Sequence, residues 1–158
     1  MRRKDREVTD EKIISQIFRD CRYVNLGFVD GDGYAYILPL NYGYEEKDGV
    51  RTLYFHSAKS GKKIDLINGR GKCSFELVNG EKVYGDGVSG CSYASAFKCI
   101  MGHGEIEFIS DRRETVHALD SLMSHYEPGK KFDYKPEMLK AICVYKMTVK
   151  DLTCKVHE

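Results

Sequence analysis

One short run constrains this chain more than any other. Asp30-Gly31-Asp32-Gly33 lies between two stretches that alternate in polarity, residues 23–29 and 34–44. Paired Asp and Gly residues supply the backbone angles of a hairpin turn. The flanking stretches therefore read as two strands, with Tyr34, Tyr36, Leu38 and Leu40 on one side of the second. A further turn at 45–49 leads into a third strand at 51–57. Strands joined by so few residues run antiparallel, since a parallel neighbour needs a crossover of a dozen or more residues. The three make a meander, which favours an antiparallel sheet or barrel.

Helical signals fall around this meander. Asp10 can cap a helix whose Ile13, Ile14, Ile17 and Phe18 share one face and which Cys21 and Arg22 close. Residues 60–68 read as a short helix with Ile64, Leu66 and Ile67 apolar, ended by Gly69 and Gly71. Asp111 is an N-cap with Glu114 at the capping-box position, ahead of a stripe of Val116, Leu119, Leu122, Met123 and Tyr126. Pro136 can start another short helix through Leu139. Residues 72–77, 97–109 and 142–156 read as strands, and 79–95 as a turn-rich segment without an assigned element. Residues 1–9 form a charged arm on the surface. The sum is α+β, a mainly antiparallel barrel-like sheet with peripheral helices, in a single domain over 1–158.

Composition removes several functions. The 158 residues carry 25 Lys+Arg against 24 Asp+Glu, so no bulk charge draws the chain to nucleic acid or to a membrane surface. No apolar run approaches the length of a membrane span. The basic start lacks the apolar stretch of a secretory signal, which leads to a cytoplasmic location as the expectation. The six cysteines form no C-x-x-C pair, and Cys91, Cys99 and His103 match no standard metal spacing, so they read as free thiols with no metal site.

The chemistry concentrates in Tyr54-Phe55-His56-Ser57-Ala58-Lys59-Ser60-Gly61-Lys62-Lys63. A strand ends, a small polar loop follows, and a helix begins. A helix start offers free N–H groups and the positive end of a dipole. Ser57 and Ser60 add hydroxyls, and Lys62 and Lys63 add charge, a set that suits a phosphate. The same lysines also fit a solvated face of an amphipathic helix. The run is not a Walker A loop, because its glycine spacing differs. Two roles are open to His56: proton donor in a cleft, or strand-end ligand of backbone and ribityl oxygens. His103, between two glycines on a long strand, is either a ligand or a surface histidine, and His117 and His125 read as solvated.

Four segments together resemble the flavin-binding split-barrel superfamily of pyridoxamine 5'-phosphate oxidase, in its nitroimidazole-resistance (Nim-type) branch. They are a basic arm and helix leading to Tyr23-Val24-Asn25-Leu26-Gly27; Tyr36-Ile37-Leu38-Pro39-Leu40-Asn41-Tyr42-Gly43-Tyr44; Leu53-Tyr54-Phe55-His56-Ser57-Ala58 with Gly61-Lys62-Lys63; and Phe97-Lys98-Cys99-Ile100-Met101-Gly102-His103-Gly104 followed by Asp111 and its helix. The resemblance implies a six-stranded split β-barrel that forms a homodimer, with one FMN in each of two interface clefts. It implies that Ser57, Lys62 and Lys63 hold the phosphate, that Pro39, Leu40 and Asn41 lie along the isoalloxazine ring, and that Leu38, Phe55, His56, Ala58 and Gly61 are also cofactor-binding. Lys98, Cys99 and Ile100 would reach the cleft, in one arrangement from the partner subunit. Family members often carry Arg-Ser where this chain has Lys98-Cys99, which loses the planar fork of Arg. The oxidase's substrate-binding arginines and histidines have no counterpart after residue 130, so that oxidase activity is not implied.

The function expected from this reading is a small FMN-binding reductase. It would pass electrons from a reduced nicotinamide or other donor, through flavin, to an acceptor such as a nitroaromatic, with His56 as the catalytic residue. FAD would suit the same phosphate grip. The alternative is a non-enzymatic flavin- or haem-binding module, with His56 or His103 as axial candidates. An apo dimer with an empty cleft is a third reading.

Overall fold

The computed structural model describes residues 2–158. Its strands are β1 (Glu7–Val8), β2 (Val24–Val29), β3 (Ala35–Leu40), β4 (Gly43–Lys47), β5 (Val50–Ala58), β6 (Lys72–Tyr84), β7 (Ala94–Phe108) and β8 (Ile142–His157). Its helices are α1 (Glu11–Asp20), α2 (Lys62–Arg70), α3 (Arg112–Tyr126) and α4 (Pro136–Ala141). The sheet runs β3-β2-β6-β7-β8-β5-β4, every pair antiparallel, with β1 added to β8. No helix among the described residues is long and apolar enough to cross a membrane.

The expected antiparallel α+β barrel is what forms, with eight strands in place of six. One added strand is β1: the charged arm does not lie free but pairs Glu7 with Lys155 and Val8 with Cys154. The other comes from the stretch 34–44, which is two strands and not one. After Leu40 the chain leaves β3, and Tyr42 buries its ring completely. Its hydroxyl donates to the carbonyl oxygens of Phe18 (2.6 Å) and Cys21 (3.2 Å). The polarity alternation runs through this break, so periodicity alone joins the two strands. Tyr34 stays in the exposed turn and does not share the inner side with Tyr36, Leu38 and Leu40.

The break closes the barrel. β3 and β4 are at opposite ends of the sheet path. Laid flat, that path would separate them by about 29 Å, at about 4.8 Å per strand spacing. Three peptide links from Leu40 to Gly43 reach at most about 11 Å. The sheet must therefore curl until its ends meet. Asp48 (φ 52°) and Gly49 (φ 77°) form the Asp-Gly hairpin between β4 and β5.

The interior is filled by Leu26, Phe28, Leu53, Phe55, Phe75, Leu77, Ile100, Tyr145 and Met147, with Ile14, Ile17 and Phe18 of α1 against them. Ile13 is exposed, outside the buried stripe that was expected to include it. Asp10 caps α1 by accepting from Lys12 N, and Asp111 caps α3 by accepting from Glu114 N. A second cluster of Tyr54, Ile109, Ala118, Leu119 and Val144 lies outside the barrel under α3.

The turn-rich segment 79–95 is strand at both ends, where β6 runs on to Tyr84 and β7 begins at Ala94, and stays irregular between them. β6 and β7 continue past the barrel as a two-stranded ribbon that pairs Lys82 with Ala96 and Tyr84 with Ala94. A register shift between Asn79 and Lys82, with Gly80 at φ 70°, marks where the ribbon begins. Glycines there hid the strand signal.

Gly43 tests the seating of α3, because a Cβ there would collide with the backbone of Ser121 and Leu122. Gly43→Ala is expected to lower unfolding stability by roughly 1–3 kcal/mol in urea denaturation. Gly69→Ala, in α2 with open space around it, is expected to gain up to about 1 kcal/mol. An unchanged midpoint for Gly43→Ala would show that α3 does not rest on β4.

Candidate functional site

The end of β5 and the start of α2 form the candidate site. Gly61 occupies the N-cap of α2 at φ 121° with no side-chain cap. Ile64 N and Asp65 N bond back to the Gly61 carbonyl oxygen, at 2.8 and 3.3 Å. The N–H groups ahead of them point out of an uncapped helix end. The cations differ from expectation. Lys62 is bound to Asp30 in the β2–β3 turn and lies 5.3 Å from the centre of the Tyr36 ring. That ion pair lowers the Asp30 pKa and raises that of Lys62. Lys63 is half-buried. Among the described residues, neither Lys63 nor Lys59 has a carboxylate within ion-pair distance. Both lie close enough to Cys143 to act on its charge, and Lys63 also acts on His56.

Strand alternation divides the remaining residues. Phe55 and Ser57 face the barrel interior with their β8 partners Tyr145 and Cys143. His56 faces outward with Val144, on the side of the second cluster. His56 and Ser57 can meet one ligand only where the strand ends, at Ala58. Phe55 is 1% exposed and stacks on Tyr145 at 5.4 Å between ring centres, so its side chain belongs to the core. Ile100 is likewise a core side chain. For both, only the backbone is open to a cofactor. Ser57 Oγ donates to the Ala58 carbonyl oxygen at 2.9 Å.

Two residues absent from the sequence reading join the site. The Tyr145 hydroxyl is buried without a hydrogen-bond partner. Burial raises its pKa to about 12, and the neighbouring Ser57 hydroxyl opposes that rise. Burial also raises the Cys143 thiol, against the pull of Lys59 and Lys63. Both residues are on β8, far from β5 in sequence, and only strand pairing reveals them. Lys59 stood in the quoted run, and its lack of a partner is visible only in three dimensions.

The other expected residues lie apart. Leu38 and Leu40 turn inward on the edge strand β3, and Pro39 is exposed. Asn41 donates to the Arg22 carbonyl oxygen at 3.3 Å. Lys98 and Cys99 pair with Val156 and Lys155, whereas His56 pairs with Val144. Eleven residues of β8, roughly 36 Å of strand, separate them. Within one chain Lys98 and Cys99 lie far from the β5–α2 junction.

The histidines also divide. His103 Nδ1 lies 2.8 Å from Asp151 Oδ1 in the open, and His117 Nε2 lies 3.1 Å from Glu45. His125 is not solvated as expected: it is half-buried, 2.8 Å from the Cys21 carbonyl oxygen, and burial lowers its pKa.

Comparison with known proteins bears on the family and the fold. The sequence profile of the family described as pyridoxamine 5'-phosphate oxidase matches residues 10–156. Comparison with curated proteins returns no match. Among solved structures, the chain is similar to a candidate 5-nitroimidazole antibiotic resistance protein from Bacteroides thetaiotaomicron, at 31% identity and TM-score 0.82, covering 95% of this chain and 86% of that one. The flavocytochrome Anf3 from Azotobacter vinelandii shares the fold at 17% identity and TM-score 0.82, covering 100% and 72%. So does a FAD and heme binding protein from Mycobacterium smegmatis, at 15% identity and TM-score 0.82, covering 97% and 74%.

His56 offers a direct check on the site. Partial desolvation at the strand end, and then the charge of Lys63, lower its pKa below the ordinary 6.5. A lowered histidine pKa means the folded state releases the proton more readily than the unfolded chain. The stability contributed by neutral His56 is therefore complete above 6.5 and lost as pH falls below it. Lys63→Met is expected to raise the His56 midpoint in an imidazole NMR titration. No movement would separate the two residues.

Proposed function

This chain belongs to the pyridoxamine 5'-phosphate oxidase family, and we propose that it binds FMN between two copies of itself and acts as a small flavin-dependent reductase. The observation that carries this reading is the uncapped start of α2 beside Lys59 and Lys63, two cations without a carboxylate partner among the described residues. A phosphate dianion answers each of these features: it accepts from the free N–H groups, sits at the positive end of the helix and neutralises the lysines. The unpartnered Tyr145 hydroxyl next to Ser57 adds a donor. The donor set thus fits a flavin phosphate, and FAD would present the same group.

When bound, the flavin supplies the electron chemistry, from a reduced nicotinamide or another donor to an acceptor such as a nitroaromatic. The chain does the rest. Lys59, Lys63, Gly61 and Ser57 hold the phosphate, and Leu38, Pro39, Leu40 and Asn41 lie along the ring. Lys62 acts indirectly, tying α2 to the β2–β3 turn through Asp30. His56 holds a proton for the reduced acceptor. Its lowered pKa leaves it neutral at pH 7, so turnover through it rises as pH falls. A second copy brings Lys98 and Cys99 to the cleft, and the outer face of β3, β6 and β7 offers it the exposed Ile37, Val78 and Met101. The protein works in the cytoplasm.

The absorption spectrum of the purified protein, with mass spectrometry of what heat releases, tests the cofactor. Flavin bands and an FMN mass are expected. A Soret band, or a colourless protein that ignores added FMN, would overturn the reading. Lys63→Ala is expected to weaken FMN binding about tenfold or more, as loss of a charged hydrogen bond does, and Lys62→Ala much less. Equal effects would reassign the phosphate.

A further inference from the structure

The β6–β7 ribbon runs past the barrel and touches the rest of its own chain at His157, which lies 2.8 Å from the Ser95 carbonyl oxygen and 3.4 Å from the Tyr84 hydroxyl. From the Asn79–Lys98 pair to the Tyr84–Ala94 pair it extends five residues, about 17 Å. Its tip is built, not loose. The Asp86 carboxylate accepts from Val88 N (2.8 Å), Ser89 N (2.9 Å) and Ser92 Oγ (2.6 Å). These bonds hold its pKa down at about 2. The Tyr93 ring lies so close over Gly85 that a Cβ there would meet it at 2.6 Å. Yet this ordered tip shows apolar side chains to water: Val88 is 92% exposed, Val83 69% and Tyr93 51%. Apolar side chains held out on an ordered tip are available for contact with a partner.

The candidate site has the opposite deficiency. Flavin-sized ligands are held in enclosed clefts, but His56 and Lys59 are exposed and Ser57 and Lys63 only half-buried. In one chain these groups stand open to solvent. The ribbon cannot cover its own site. Phe97 pairs with His157 at one end of β8, and Ala58 pairs with Ile142 at the other, about 50 Å apart along the strand. The ribbon does start at Lys98, the residue that a second copy would bring to the cleft. Exchange across a two-fold axis is symmetric, so each copy would receive what it gives.

We propose that the tip of the β6–β7 ribbon, through Val83, Val88 and Tyr93, closes over the flavin cleft of a second copy of this chain. This deepens the flavin reading and rests on it. The ribbon excludes water from the bound ring and limits what reaches it. Each site is incomplete without the other subunit.

Cys91, exposed at the ribbon tip, serves as a reporter. Full-length protein of natural isotope content and 15N-labelled protein are refolded together, loaded with FMN and treated with a short amine–thiol cross-linker. Mass spectrometry is expected to find Cys91 joined to the partner subunit's Lys59 or the partner subunit's Lys63, in peptides of mixed label. Independently, the double variant Val83→Asp, Val88→Asp is expected to keep its FMN content, while dithionite reduces that FMN several-fold faster. An FMN-loaded dimer with no mixed-label cross-link at Cys91, and with wild-type reduction rates in the variant, would overturn the ribbon's role alone. A monomer, or a protein that binds no FMN, would overturn the flavin-dimer reading and the ribbon with it.

Discussion

Leu40 and Gly43 are separated by two residues, yet they end one strand and begin another at opposite ends of the sheet path. Tyr42 is what makes that crossing stable. Its ring is fully buried, and its hydroxyl reaches two carbonyl oxygens at the end of α1. Its N–H donates to the Tyr126 hydroxyl of α3 at 3.2 Å. One residue thus ties barrel closure to the helices on either side. A buried hydroxyl left without these acceptors would carry its full desolvation cost, so the crossing, α1 and α3 are seated together. The neighbouring network extends the same join: Arg51 pairs with Glu11 and Glu46, and Glu46 accepts from Ser15 and Tyr44.

Closure also determines what the junction of β5 and α2 looks like. Once β5 lies between β4 and β8, the inward residues of its last turn face those of β8. That places Ser57 beside Cys143 and near Tyr145, and leaves His56 on the outer side with Val144. Ser57 and His56 therefore lie on opposite faces of one strand. They meet only where the strand stops and α2 begins. The Lys62–Asp30 pair keeps that junction in place by fastening α2 to the β2–β3 hairpin, while Lys63 has no carboxylate within ion-pair distance among the described residues.

Glycines in β7 mark where strands approach most closely. A Cβ at Gly102 would meet the Asp151 carbonyl oxygen and the Phe75 ring, and one at Gly104 would meet Met147. The β7–β8 register slips between these two residues. The slip adds twist to the longest pair of strands and helps a sheet of this length to coil. His103, set between the two glycines, belongs to this bend and pairs with Asp151 in the open.

Local chemistry was sufficient for much of this protein. The Asp30–Gly33 turn, the Asp10 and Asp111 caps, the apolar stripe of α3 and the strand at the C-terminal end are legible because each depends on neighbours in sequence. So is the concentration of hydroxyls and lysines between Ser57 and Lys63. The turn expected over 45–49 narrows to Asp48-Gly49, with Glu45–Lys47 in β4. Other properties were decided by contacts between distant segments. Periodicity ran unbroken through Asn41 and Tyr42, because the break there is made by the carbonyls of α1. Lys62 and Lys63 are alike as residues, and only Asp30 distinguishes them. Tyr145 and Cys143 join the site through strand pairing across more than eighty residues of chain. Phe55 and Ile100 leave it because alternation turns them into a core that exists only after closure. The sequence determines which groups are available and which elements carry them; the closed barrel decides which of those groups face one another.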